Sequence, residues 1–279
     1  MSFEKVRAYA ELLRPLNAVI IMAVIASAAF LAGGRGNAAL HIVIAALAGG
    51  FIGGAANVVN DYFDVGIDKI NKPNRPLARG AVGKKEAFLL WLVLSLIGIS
   101  LNLFLNFAAL AIAVVAAFFL FLYSAKLKGT ILVGNVTVAG MTGLAFVYGA
   151  VVVGRPEVSL IPAGFAFLIN VAREIVKDVE DMEGDRLGNA ITFPLKHGVK
   201  PALAMASSVL IILSGVTVWP YLAGTYSQTY FFLVLLVDII LLSSVAAMWK
   251  DSSPANLSKV SFVLKLDMVL GLVAIYFGS

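Results

Sequence analysis

The 279-residue chain is 61% hydrophobic and 13% charged, with a mean hydropathy of +0.95. Soluble domains carry about 25% charged residues, so the composition excludes one and calls for a polytopic membrane protein. The absence of cysteine excludes disulfides, thiol nucleophiles and cysteine-held zinc.

Met1–Leu13, with Lys5 and Arg7, reads as a short amphipathic lead-in. It lacks the small-residue cleavage site of a signal peptide. Nine spans come after it, near 15–34, 39–60, 86–104, 107–124, 131–153, 158–176, 201–220, 229–249 and 259–278. Each is close to the ~20 residues a helix needs to cross hydrocarbon. The expected fold is therefore all-α: one membrane domain over residues 1–279, a bundle of nine transmembrane helices around a central cavity.

Charge placement orients that bundle. With the N-terminus cytoplasmic, 18 of the 21 basic residues fall on inside segments. Only Arg35 and Arg155 lie outside, and Lys265 sits within the last span. This is the positive-inside pattern of a multi-pass cell-membrane protein. It accounts for the +5 net charge without nucleic acid.

Two acidic triplets organise the chain. Asp61, Asp64 and Asp68 recur at i, i+3, i+7 after the second span, a helical spacing that puts three carboxylates on one face. Asn57 and Asn60 extend that oxygen-rich face by a turn. Asp178, Asp181 and Asp185 repeat the spacing 117 residues later, with Lys177 in the place of Asn60 and Glu174 in that of Asn57. Both triplets fall at cytoplasmic ends of spans running the same way, which implies a parallel internal repeat. Such a repeat would bring the two acidic faces together. The small residues Gly49, Gly50, Gly53 and Gly54 above the first triplet read as close helix packing.

Each triplet is succeeded by a basic loop with proline and glycine. The first carries Arg75 and Arg79, the second Arg186, Lys196 and His197. A further cytoplasmic segment holds Tyr123, Lys126 and Lys128, with Asn135 just beyond. Hard oxygen ligands at a helix end suit Mg²⁺, which usually bridges carboxylates to a substrate phosphate. Carboxylates and cations opening onto an apolar bundle suggest a substrate with a polyanionic head and a greasy tail, such as a prenyl diphosphate. Metal and basic groups would stabilise the leaving diphosphate. An allylic cation would need a dry pocket, for which the aromatics Tyr62, Phe63, Tyr123, Phe146 and Tyr148 are available. Lys126 and Lys128, on a loop of their own, fit a second phosphate apart from the leaving diphosphate as well as they fit ordinary positive-inside residues. Asp238, Lys265 and Asp267 lie inside the last two spans, where an Asp238–Lys265 pair would pin one helix to the other.

The pattern Asn60-Asp61-x-x-Asp64-x-x-x-Asp68 with Arg75-Pro76-Leu77 resembles the first signature of the UbiA superfamily of intramembrane prenyltransferases. Asp181-x-x-x-Asp185 resembles its second. The resemblance implies metal–diphosphate duty for Asn60, Asp64, Asp181 and Asp185. It implies catalytic roles for Asp64, Asp68, Asp181 and Asp185, and support or direct binding from Asp61, Asp68 and Asp178. It also implies transfer of a prenyl group to an aromatic ring or a lipid acceptor. The run from Arg173 to Arg186, and Tyr123-Ser124 with Leu127-Lys128, Gly134 and Asn135 after it, are similar to the archaeal-type digeranylgeranylglyceryl phosphate synthases. Chlorophyll-type members share the Glu183-Gly184-Asp185-Arg186 element. In a different class stands an ion-coupled transporter, whose sites lie near the bilayer midplane rather than at helix ends. A lipid-binding scaffold without catalysis is a third.

Overall fold

The computed structural model describes residues 3–188 and 190–279, with Ile70 and Asn71 described in backbone only. Among the described residues all regular structure is helical. Among the described residues eight helices are long and apolar enough to cross a membrane, and the bent pair Phe3–Leu13 and Pro15–Leu31 makes a ninth if it is one span. Eight of the nine expected spans are therefore present, and the first is met where that bent pair crosses as one span. Their exposed Leu, Val, Ile and Phe side chains are those a hydrocarbon solvent tolerates.

The chain divides into two compact units. The first comprises Met1–Lys128 and Leu144–Leu160, the second Gly129–Gly143 and Ile161–Ser279. In the first unit, α1 (Phe3–Leu13) and α2 (Pro15–Leu31) meet at 43°. The hinge residue Arg14 takes a left-handed conformation, φ 48°. The residue before a proline is disfavoured in the α region, so α1 cannot run straight into α2. Next comes α3 (Ala39–Asn71), then α4 (Lys84–Leu101) and α5 (Phe107–Leu122).

The break between α4 and α5 is built by two asparagines. Asn102 donates to the Gly98 carbonyl, and the Asn106 side chain accepts from the Ala109 backbone N–H to cap α5. Three of the four glycines above the first triplet do serve close packing. A methyl group added at Gly49, Gly50 or Gly53 would run into Ile25, Met22 or Ile21 of α2.

In α3 the helix passes well beyond the expected end of its span. Residues 61–71 add about 16 Å at 1.5 Å per residue. The first acidic triplet is therefore part of one continuous helix, as its spacing requires. The loop after it is anchored by two apolar side chains. Leu77 and Val82 are buried with Ala8 and Leu12 of α1, Ala55 and Val58 of α3, and Ala87 and Leu94 of α4. Gly80, φ +76°, supplies the left-handed turn between them.

Helix α6 (Val133–Val152) gives residues 133–143 to the second unit and 144–152 to the first. The second unit continues through α7 (Leu160–Glu180), the short α8 (Met182–Leu187) and α9 (Phe193–His197), then α10 (Val199–Thr217) and α11 (Trp219–Leu222). It closes with α12 (Gln228–Lys250) and α13 (Pro254–Gly278). Pro254 and the Ser253 cap, whose hydroxyl accepts from the Asn256 N–H, start α13 cleanly.

Candidate active site

In the first unit the carboxylates of α3 are buried: Asp61 is 2% exposed, Asp64 7% and Asp68 5%. Three such charges on one face are stable only if neutralised. Arg75 reaches back from the loop and donates from one nitrogen to Asp61 at 3.0 Å and Asp68 at 2.7 Å. Arg14, at the α1–α2 hinge, donates to the same Asp61 oxygen at 2.5 Å. Asp61 and Asp68 thus form an arginine-locked pair.

Asp64 is held differently. Its Oδ2 accepts from the Asn60 amide at 2.9 Å and from the Lys128 ammonium. Lys128 arrives there because α5 ends in a π turn, Tyr123–Leu127, closed by the Lys128 N–H on the Tyr123 carbonyl at 3.0 Å. Single π turns recur at functional sites because the wider ring re-aims the residues after it. Asn60 uses its N–H₂ on Asp64, which leaves its carbonyl oxygen as an acceptor. Together Asn60 and Asp64 offer hard oxygens beside one ammonium.

The second acidic set, in the second unit, departs from the expected helical face. α7 stops at Glu180, Asp181 is a turn residue (φ −91°, ψ 5°), and Asp185 lies on α8. The i→i+4 bonding nevertheless persists: Asp181 N–H reaches the Lys177 carbonyl, and Asp185 N–H the Asp181 carbonyl. A bend therefore interrupts the face without breaking its order. Asp178 accepts from the Asn135 amide at 2.8 Å, so the structure brings together two residues singled out in sequence. Lys177 instead turns back to Glu174, whose carboxylate it shares with Arg173. Asp181 is exposed and Asp185 half-buried. Among the described residues no three His, Cys, Asp or Glu side chains group to hold a metal on their own. That donor set suits a metal carried by one or two carboxylates and a substrate phosphate.

A model of the UbiA prenyltransferase family matches residues 19–266. The chain is 34% identical to the digeranylgeranylglyceryl phosphate synthase of Methanothermobacter thermautotrophicus, over 97% of this chain and 95% of that one. It is 36% identical to the protein of the same name from Methanopyrus kandleri, over 96% and 97%. The chain belongs to the UbiA prenyltransferase family.

Solved structures agree. One described as digeranylgeranylglyceryl phosphate synthase in membranes superposes with a TM-score of 0.79 at 33% identity, covering 99% of both chains. A UbiA homolog from Archaeoglobus fulgidus, bound to GPP and Mg²⁺, shares the fold with a TM-score of 0.69 at 19% identity, over 96% and 99%. The resemblance drawn from the two acidic motifs is confirmed, and the chain is a prenyltransferase-family membrane protein.

Within this UbiA member several expected site residues have protein partners of their own. The π turn seats Lys128 on Asp64. Lys126, on the same turn, is exposed, and Tyr123 opens it. Arg79 is engaged by Glu11 at 2.7 Å and by the Asn74 carbonyl at 2.6 Å, so it fastens the loop to α1. Asn57 donates to the Leu13 carbonyl and tethers the end of α1.

Tyr148 donates to Asn102 inside a cluster with Ile25, Ala45 and Ala109. Ala45 lies sixteen residues before Asp61 on α3, about 24 Å along the axis, which removes Tyr148 from the acidic set. Tyr62 and Phe63 point away from the carboxylates into rings formed with Phe88, Trp91 and Phe121.

The Asp238–Lys265 pair is absent among the described residues. Asp238 instead accepts from the Thr217 hydroxyl at 2.9 Å. Arg14 is the residue that sequence reasoning missed as a site member. Its one local signal is a cation immediately before Pro15, at the mouth of an apolar run.

Proposed function

We propose that this chain transfers a geranylgeranyl group from geranylgeranyl diphosphate to the free hydroxyl of geranylgeranylglyceryl phosphate, with Mg²⁺ as cofactor. The bond between the prenyl C1 and the diphosphate oxygen breaks. A bond from C1 to the glycerol oxygen forms, and the hydroxyl proton leaves with the diphosphate. The observation that carries this reading is the 34–36% identity, along nearly the whole chain, to proteins named for that synthesis.

The site's chemistry supports it. The oxygen donors we assign to magnesium are Asn60 and Asp64 in the first unit, and Asp181 and Asp185 in the second. Bound there, magnesium supplies positive charge to the leaving diphosphate. Lys128 adds a cation that is already beside Asp64 and free to turn to a phosphate oxygen. Arg75 and Arg14 hold Asp61 and Asp68 neutralised, which keeps Asp64 the carboxylate of α3 available to a metal. Asp178, with Asn135, positions the stretch leading to Asp181. The acidic sets face the cytoplasm of a cell membrane in this reading, as the distribution of basic residues implies.

Purified protein in detergent, given both lipids and Mg²⁺, should form the doubly prenylated glyceryl phosphate and lose that activity in excess chelator. Prenylation of an aromatic or chlorophyll-type acceptor in place of the glyceryl phosphate would overturn the acceptor assignment. No prenyl transfer to any of them would overturn the enzymatic one.

A further inference from the structure

Two carboxylates lie buried in the middle of the membrane, outside the site described above. Asp238 is the eleventh of the 23 residues of α12, and Asp267 the fourteenth of the 25 of α13. Their exposures are 7% and 1%. The register between these antiparallel helices is fixed at both ends. The Ser227 N–H bonds to the Gly278 carbonyl at 2.8 Å, and the Asn256 side chain bonds to the Ala247 carbonyl at 3.0 Å. Between those ties, twenty residues of α12 run beside 22 of α13. Eleven residues from Ser227 to Asp238 therefore match about twelve back from Gly278, within a residue of Asp267. The two carboxylates are level.

Their surroundings do not neutralise them. Thr217 and Ser214 of α10 donate to Asp238, and the Tyr230 hydroxyl of α12 donates to the Thr217 carbonyl rather than to either acid. Neither oxygen of Asp267 has a hydrogen-bond donor among the described residues. The nearest candidates for a counter-charge are used or turned away. Arg173 of α7 is held by Glu174 and the Ser261 carbonyl, and the half-buried Lys265 makes no ion pair with either aspartate among the described residues. α10 has no charge beyond Lys200 at its start. Two uncompensated carboxylates at this depth are strongly unfavourable.

We propose that Asp238 and Asp267 form a mid-membrane site for one small monovalent cation, either an alkali-metal ion or a bound proton. Both supply the same thing, one positive charge between two hard oxygen groups, with the Thr217 hydroxyl as a third oxygen at the site's edge. The site is independent of the transferase reading, and it lies at the depth where ion-coupled membrane proteins place theirs.

The test is thermal unfolding of the purified wild-type protein in detergent, compared with the double variant Asp238→Asn/Asp267→Asn. One arm titrates NaCl against N-methylglucamine chloride at constant pH and ionic strength. The other raises pH without alkali metal. An alkali-ion site gives a saturable, Na⁺-dependent rise in Tm of about 5 °C in the wild type that the double variant lacks. A proton site gives a wild-type Tm that falls with rising pH more steeply than the variant's. The folded state must then surrender a proton that the unfolded state has already lost.

Identical Na⁺ and pH responses in the two proteins would overturn the proposal. Should the variant not fold, wild-type protein alone decides. Either ²²Na⁺ binding or the C=O stretch of a buried protonated carboxyl in infrared spectra supports the site, and the absence of both removes it.

Discussion

Arg75 holds two carboxylates seven residues apart on one helix, and a planar guanidinium is the side chain suited to it. Lysine would reach one of them but not serve both. Arg75→Lys should therefore lower kcat/KM by tenfold or more, as the loop loosens and Asp68 becomes an uncompensated buried charge. Steady-state kinetics on folded protein check this. Asp64 has the opposite character: its two donors, Asn60 and Lys128, are both able to turn to a ligand. Asp64→Asn keeps the shape and removes the charge, so kcat should fall by about 10²-fold or more with Tm near wild type. A folded Asp64→Asn protein of full activity would remove Asp64 from the chemistry. The carboxylates themselves were legible in the sequence because helical spacing fixes which side chains share a face. Arg14 was not, because its contact with Asp61 spans 47 residues and depends on a hinge angle.

Elements decide which cation meets which acid. The π turn after α5 sets Lys128 on Asp64, and no pattern in Tyr123–Lys128 announces a five-residue turn rather than an ordinary helix end. Lys128→Ala should accordingly raise KM for the prenyl diphosphate or lower kcat, with the smaller effect on the acceptor KM. Lys126→Ala should change neither by more than about twofold. A selective rise in the acceptor KM for Lys128→Ala would restore the separate-phosphate role. α1 is similarly more than an amphipathic lead-in. Ala8 and Leu12 are fully buried against the loop and α3, and Lys5, Glu11 and the Leu13 carbonyl add polar ties to Glu86, Arg79 and Asn57. Leu12→Ala should destabilise the protein by about 2–4 kcal/mol through the cavity it leaves, read as a drop in Tm. The spans themselves were readable to within a few residues, because hydrocarbon length and apolar composition dictate them. The exception is α3, where helix continues past the apolar run because the acidic face is neutralised by Arg14, Arg75 and Lys128.

At the scale of the whole molecule, composition and charge placement carry the most. The proposed topology, drawn from eighteen basic residues on inside segments, puts residues 72 and 190 on the cytoplasmic side. Single cysteines introduced at either position should react with a membrane-impermeant reagent in inverted vesicles and not in right-side-out ones. The reverse result would invert the topology. Which lipid accepts the prenyl group is less legible, because acceptor choice rests on pocket shape, while the acidic motifs serve the diphosphate that many relatives share. The most direct measurement is mass spectrometry of the products formed by purified protein from geranylgeranyl diphosphate offered together with geranylgeranylglyceryl phosphate, 4-hydroxybenzoate and a chlorophyll-type acid. One Mg²⁺-dependent product is expected, the glyceryl phosphate carrying two geranylgeranyl ethers. A prenylated aromatic or chlorophyll-type product, with the glyceryl phosphate left untouched, would contradict the assignment.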